Sequence, residues 1–286
     1  MPLSQITSKF QNYTYNDSKI VSEYLTTLKN SNQLDTNNLQ IQEYLLPEIL
    51  VLLKKAVLNR FSTDLLFQKN YWSWGFVTLY YSNFYLAQAL NRLKGNFFLR
   101  LNNGMKNIQL DPADNQYKLI NVNSSDTHKK ELEKLRSNYT FLITDVNHRI
   151  AIPDDYQVKP FFNESKVRND INYTLRYYKE FNNKFCENIN IFQCREDYST
   201  YNFSFDEFKL LEINNSRFDL IFELLDSIKN DNENFNIRFD SFLNELSDKM
   251  IFKYDNQYLK YIEDLFRENK FHISSERVYN KFKGYL

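Results

Sequence analysis

Trp72-Ser-Trp-Gly-Phe-Val-Thr-Leu-Tyr-Tyr81, running on through Ser82-Asn-Phe-Tyr-Leu-Ala-Gln-Ala-Leu-Asn-Arg-Leu93, is the stretch on which the fold reading turns. Its side chains are apolar nearly all round a 3.6-residue helix, so it is expected at the centre of a helical core, with Trp72 and Trp74 packed inside. Gly95, just after Lys94, is the expected stop, because glycine enters the left-handed conformation that ends helices at little cost. Upstream, residues 17–30 and 47–61 read as helices. Pro47 suits a first turn, followed by an apolar stripe of Ile49, Leu52, Leu53, Ala56 and Val57.

Downstream the period changes. Phe98-Leu-Arg-Leu101, the turn signal Asn102-Asn-Gly-Met, and Tyr117-Lys-Leu-Ile-Asn-Val122 alternate, and predict a small β-ribbon near 97–122. Ser125-Asp-Thr127 is positioned to cap a helix running to about Val146. A loop from Pro153 to Pro160 precedes the longest expected helix, about 163–190, with Val167, Ile171, Leu175, Tyr178, Phe185 and Ile189 on one stripe. Ser204-Phe-Asp-Glu207 forms a capping box before further helical stripes (Phe218 to Ile228, Phe239 to Leu246, Leu259 to Phe266) that read as a separate helical layer. The expected organisation is an N-terminal helical segment (1–40), a helical bundle carrying the ribbon (41–195), and an acidic C-terminal helical region (196–286). The fold class is all-α.

Composition supports this. The 286 residues contain 4 glycines and 5 prolines, against a usual ~7% and ~5%, which leaves little material for tight hairpins. With glycine only at 75, 95, 104 and 284, neither a dinucleotide-binding or P-loop glycine motif nor a nucleophile elbow can be written. Aromatic residues make up 17% and fill a core in place of aliphatic ones. The 36 Lys and Arg balance 36 Asp and Glu, but unevenly: residues 1–195 hold 24 basic and 18 acidic side chains, the remainder 12 and 18. One reading is that the basic part faces RNA or another polyanion while the acidic part shields it or binds a basic partner; the plainer one is two solvated faces. Cys186 and Cys194 fit no zinc spacing and read as reduced thiols. No signal-peptide run opens the chain and no apolar run is long enough to span a bilayer, so a cytoplasmic location is expected. His128, His148 and His272 are scattered without metal-ligand spacing, so neither a metal nor a cofactor is expected.

Three segments carry chemistry when taken in order. Tyr80-Tyr-Ser-Asn-Phe-Tyr-Leu-Ala-Gln-Ala-Leu90 resembles the Tyr-Tyr-x-x-Phe-x-x-Ala-x-Ala-Leu helix of many proteins of the HEPN superfamily, helical bundles of bacterial toxin–antitoxin and defence systems. Thr127-His-Lys129 resembles the Thr-His-Lys that opens a later helix in one branch, and Val167-Arg-Asn-Asp-Ile-Asn-Tyr173 resembles that branch's Arg-x-x-x-Asp-Tyr signature. The resemblance covers about residues 41–191. It implies a four-helix bundle, a homodimer, and metal-independent RNA cleavage in which Arg168, followed by Asn169, stabilises phosphorane charge. A ribonuclease effector or toxin is the leading expectation. A catalytically inactive adaptor, partnered with a nucleotidyltransferase, a cognate antitoxin or another defence component, is the alternative, and a helical interaction protein outside the family is a third.

The departures are specific. Active members place His a few residues after the Arg, and here that place holds Tyr173, whose ordinary pKa of ~10 suits proton transfer less well. Asn172 replaces the family's Asp. Arg168 and Tyr173 are five residues apart, about 140° around a helix, so they share a site only near a frayed end or across a dimer seam. Arg267 and His272 form a true Arg-x4-His string outside the resembling region and are the fallback pair. His128, Lys129, Lys130, Lys134 and Arg136 are the candidate RNA-contacting set. The plainer readings make Arg168 a surface partner of Glu164, four residues earlier, and His128 a first-turn surface residue.

Overall fold

The computed structural model describes residues 3–68, 71–101, 104–111, 116–122, 127–145, 147–152, 164–173 and 205–249. Among these the chain is mostly helical, with one small antiparallel sheet. The helices are α1 (Leu3–Thr7), α2 (Val21–Asn30), α3 (Gln42–Gln68), α4 (Trp72–Lys94), α5 (Thr127–Asn138), α6 (Glu164–Tyr173), α7 (Phe205–Asp231) and α8 (Glu233–Lys249). The strands are β1 (Asn96–Leu101), β2 (Gly104–Asp111) and β3 (Gln116–Asn121), in spatial order β1-β2-β3.

Helix α4 lies at the centre, packed by α3, α5, α6, α7 and β1. Its lining is not purely apolar, however. Ser82, Asn83 and Asn91 are fully buried, each bonded to a neighbouring element, while Trp74 at its start is 64% exposed rather than packed in the core. Gly75 explains the close α3–α4 hairpin, since a Cβ there would lie 2.2 Å from the buried Phe67 ring. Gly95 ends the helix as expected, at φ 79°, its N–H bonded to the Arg92 carbonyl.

Helix α3 begins five residues before Pro47, so the proline sits inside the helix rather than in its first turn. Proline cannot donate to the carbonyl four residues back. That carbonyl, of Glu43, instead accepts the Asn16 N–H at 3.0 Å, so the early start leaves it satisfied. Helix α5 stops at Asn138, well short of Val146. The Asn138 amide turns inward to the Asn91 side chain and the Asn96 carbonyl (both 2.8 Å), and the next residue, Tyr139, buries its ring and donates to the Leu90 carbonyl. The continuation of α6 toward residue 190, the caps at Ser125, Asp126 and Ser204, the stripe from Leu259, both cysteines, Arg267 and His272 lie outside the described residues.

The sheet follows the expected ribbon. Leu101 pairs with Gly104 and Arg100 with Met105 across β1 and β2, and Lys106 pairs with Asn121 across β2 and β3. Phe97, Leu99 and Leu101 face the core, which leaves Phe98 and Arg100 on the opposite face. The outer edge of β3 is not left bare: Leu39 donates to the Tyr117 carbonyl, and Leu119 donates to that of Thr36.

Helix α7 packs into the same apolar cluster as the helices before it, through Phe218, Ile221, Phe222 and Leu225. Its Arg217 is 1% exposed and grips Glu164 of α6 with two bonds of 2.6 and 2.9 Å, and it also donates to the Ala151 and Asn83 carbonyls. This latch holds α6 against α4. Among the described residues, no helix is long and apolar enough to cross a membrane.

Candidate functional site

Arg168 and His128 come together on one residue of the central helix, Tyr80. The Tyr80 ring is fully buried, and its hydroxyl lies 2.9 Å from His128 Nδ1 and 3.3 Å from Ser165 Oγ. The His128 ring stacks on Phe84 at 4.1 Å between centroids. The Arg168 guanidinium lies over the Tyr80 ring, 5.3 Å from its centroid, and reaches Tyr81 Oη at 3.5 Å, the outer limit of a hydrogen bond. Helix α4 supplies the aromatic platform, the first turn of α5 supplies the imidazole, and α6 supplies the guanidinium.

The electrostatics follow from burial. Desolvation pushes the Tyr80 phenol up to about 12, so it stays protonated throughout the neutral range. The phenol is within hydrogen-bond distance of both Ser165 Oγ and His128 Nδ1, so the direction of the second bond and the tautomer of the imidazole are coupled. The Arg168 Nη2 donates to Asn169 Oδ1 at 2.6 Å, while its Nε is buried without an acceptor among the described residues. Glu164 does not pair with Arg168, because Arg217 takes both its carboxylate oxygens.

On the far side of His128 lies a cleft of about 330 Å³ between α3, α4, α5, the first two strands and the start of α2. Its floor is polar and buried: Arg92 and Glu48 form a 2.5 Å ion pair with each partner 4% exposed, and Glu131 is 2% exposed. Glu131 accepts from the Asn91 amide at 2.8 Å, and burial pushes its carboxyl up to about 7. Its rim carries exposed Lys55 and Arg100, which make no ion pair among the described residues.

The candidate RNA-contacting residues do not share one face of α5. His128 turns inward. Lys134 lies over the Phe98 ring and donates to Asn96, and Lys129 pairs with Glu133 at 3.8 Å on the exposed side. Lys130 is half-buried, and Arg136 lies on the flank of the helix toward Lys129. Tyr173 ends α6 in the backbone trace, but its side chain lies outside the described residues. Sequence reasoning nominated both Arg168 and His128 but assigned them to different tasks. It missed Tyr80, Ser165, Glu131 and Arg100. Tyr80 stood inside a quoted motif, and Glu131 follows His128 by one helical turn, the only signals that could have found them. Among the described residues no three His, Cys, Asp or Glu side chains cluster as metal ligands. Compared with protein-family models, curated proteins and solved structures, the chain matches none.

Proposed function

We propose that the protein is a HEPN-like RNA-targeting factor that cleaves RNA through the Arg168–His128 pair. The observation that carries this reading is the meeting of the two side chains on Tyr80. An imidazole absent from position 173 is supplied from the start of α5 instead. In the proposed step His128 takes the ribose 2′-hydroxyl proton. The 2′-oxygen attacks the adjacent phosphorus, and the bond to the 5′-oxygen breaks to leave a 2′,3′-cyclic phosphate and, after protonation, a 5′-hydroxyl. Arg168 presents donors to the phosphorane whatever the pH. A homodimer, a cytoplasmic setting and a cognate antitoxin belong to the same reading.

The test uses purified full-length protein on labelled single-stranded and structured RNA. Arg168→Ala and His128→Ala should each lower cleavage by about 10²-fold or more, the scale of a lost general acid–base or charge-stabilising group, with the circular dichroism spectrum unchanged. Wild-type protein that cuts no RNA, with an Arg168→Ala form indistinguishable from it in cells, would leave the adaptor reading, which the tyrosine at position 173 favours.

A further inference from the structure

The cleft beside His128 has a layered chemistry that specifies an occupant. At its mouth stand two exposed cations, Lys55 from α3 and Arg100 from β1, neither ion-paired among the described residues. Its walls are apolar. Phe98 and Met105 flank Arg100 on the same two strands, Met105 directly across the ladder from it, and Leu52 and Phe84 close the other side. Its floor is polar and almost wholly buried, made by Arg92, Glu48 and Glu131. An alkyl anion would satisfy mouth and walls but would desolvate the floor without bonding to it, at a cost. A simple phosphate would leave the walls unused. A ligand with an anion at one end and a flat ring bearing polar edge atoms at the other satisfies all three layers. The volume, about 330 Å³, lies at the small end of ordinary ligand sites and is of mononucleotide size.

We propose that this cleft seats one nucleotide of an RNA strand, its phosphate held between Lys55 and Arg100, its base between Phe98, Met105 and Leu52, and its polar edge on the Arg92–Glu131 floor. The inference rests on the reading above for the path of the strand across His128, from the cleft to Arg168. It makes the cleft a base-selecting subsite that borders the reacting groups at His128, which lines it, and is distinct from Arg168.

The experiment is isothermal titration of the full-length protein with adenosine, guanosine, cytidine and uridine 5′-monophosphates, the parent nucleosides and inorganic phosphate, alongside RNA cleavage. At least one monophosphate should bind tenfold or more tightly than its nucleoside or phosphate alone. Arg100→Glu, at an exposed position that leaves the core untouched, should weaken that binding tenfold or more. Met105→Trp, which fills the cleft, should do the same. Monophosphate binding that is absent, or indifferent to both Arg100→Glu and Met105→Trp, overturns the subsite even if Arg168→Ala abolishes cleavage. Binding that responds to both cleft variants in a protein that cuts no RNA upholds the nucleotide site and removes the cleavage reading instead.

Discussion

At Tyr80 one hydroxyl meets the imidazole of His128, 48 residues on in the chain, at 2.9 Å. Tyr80→Phe keeps the ring beneath Arg168 and removes only the bond to His128 and Ser165. If the hydroxyl sets the His128 tautomer, cleavage should fall about tenfold, and the acidic limb of its pH profile should move, because the imidazole loses the partner that fixes its basic nitrogen. A purely structural role would lower thermal stability without moving that profile. Glu131 sets a second residue-scale expectation. Its folded-state value of about 7 lies above its ordinary 4.5, so the folded chain holds a proton that the unfolded chain releases between those values. Stability should therefore fall as pH rises through that window and level off above it. Glu131→Gln, which can still accept from Asn91, should flatten the dependence and be more stable above pH 7 by about 1–3 kcal/mol, read from urea midpoints at several pH values.

Elements meet here through contacts that tolerate little change. Gly75 lets α3 and α4 approach until the Phe67 ring occupies the space of a side chain, with a hypothetical Cβ only 2.2 Å away. Phe67 is fully buried and cannot swing aside, so Gly75→Ala should cost about 1–3 kcal/mol, despite the better helix propensity of alanine. The Arg217–Glu164 latch behaves differently. Removing one partner strands a buried charge, so Arg217→Met should cost about 3–5 kcal/mol in chemical denaturation, while the double change Arg217→Met with Glu164→Leu should recover much of that loss. Because α6 carries Arg168, the double variant should fold yet cleave RNA less well. That outcome distinguishes a latch that aims the guanidinium from one that only stabilises.

For the whole molecule, α7 decides what can be removed. It buries Phe218, Leu220, Ile221, Phe222, Leu224, Leu225 and Ile228 against the helices before it. At about 1.5–3 kcal/mol for each buried side chain, losing them forfeits about 10–20 kcal/mol, as much as the 5–15 kcal/mol by which a native chain is stable. A chain ending at residue 195 should therefore show no cooperative thermal transition, and intact protein should show well over half helix by circular dichroism. Sheet content above a quarter would contradict the fold.

Much of this was legible in the residues alone. Scarce glycine and proline, long apolar stripes, the alternation around Asn102-Asn-Gly and the glycine after Lys94 specify helices, ribbon and helix stop, because periodicity and backbone freedom are local properties. The early start of α3 and the early end of α5 were not legible. Each depends on a partner distant in the chain: the Asn16 amide that satisfies the carbonyl orphaned by Pro47, and the Asn91 and Leu90 groups that draw Asn138 and Tyr139 inward. The candidate site divides the same way. Arg168 stood out as a residue type able to hold phosphate and His128 as one of a set able to contact RNA, a matter of side-chain chemistry that sequence determines by itself. That they share Tyr80, that Glu164 belongs to Arg217, and that Glu131 is buried enough to hold a proton near neutrality were decided only by tertiary structure, since packing sets which groups meet and how much water they keep.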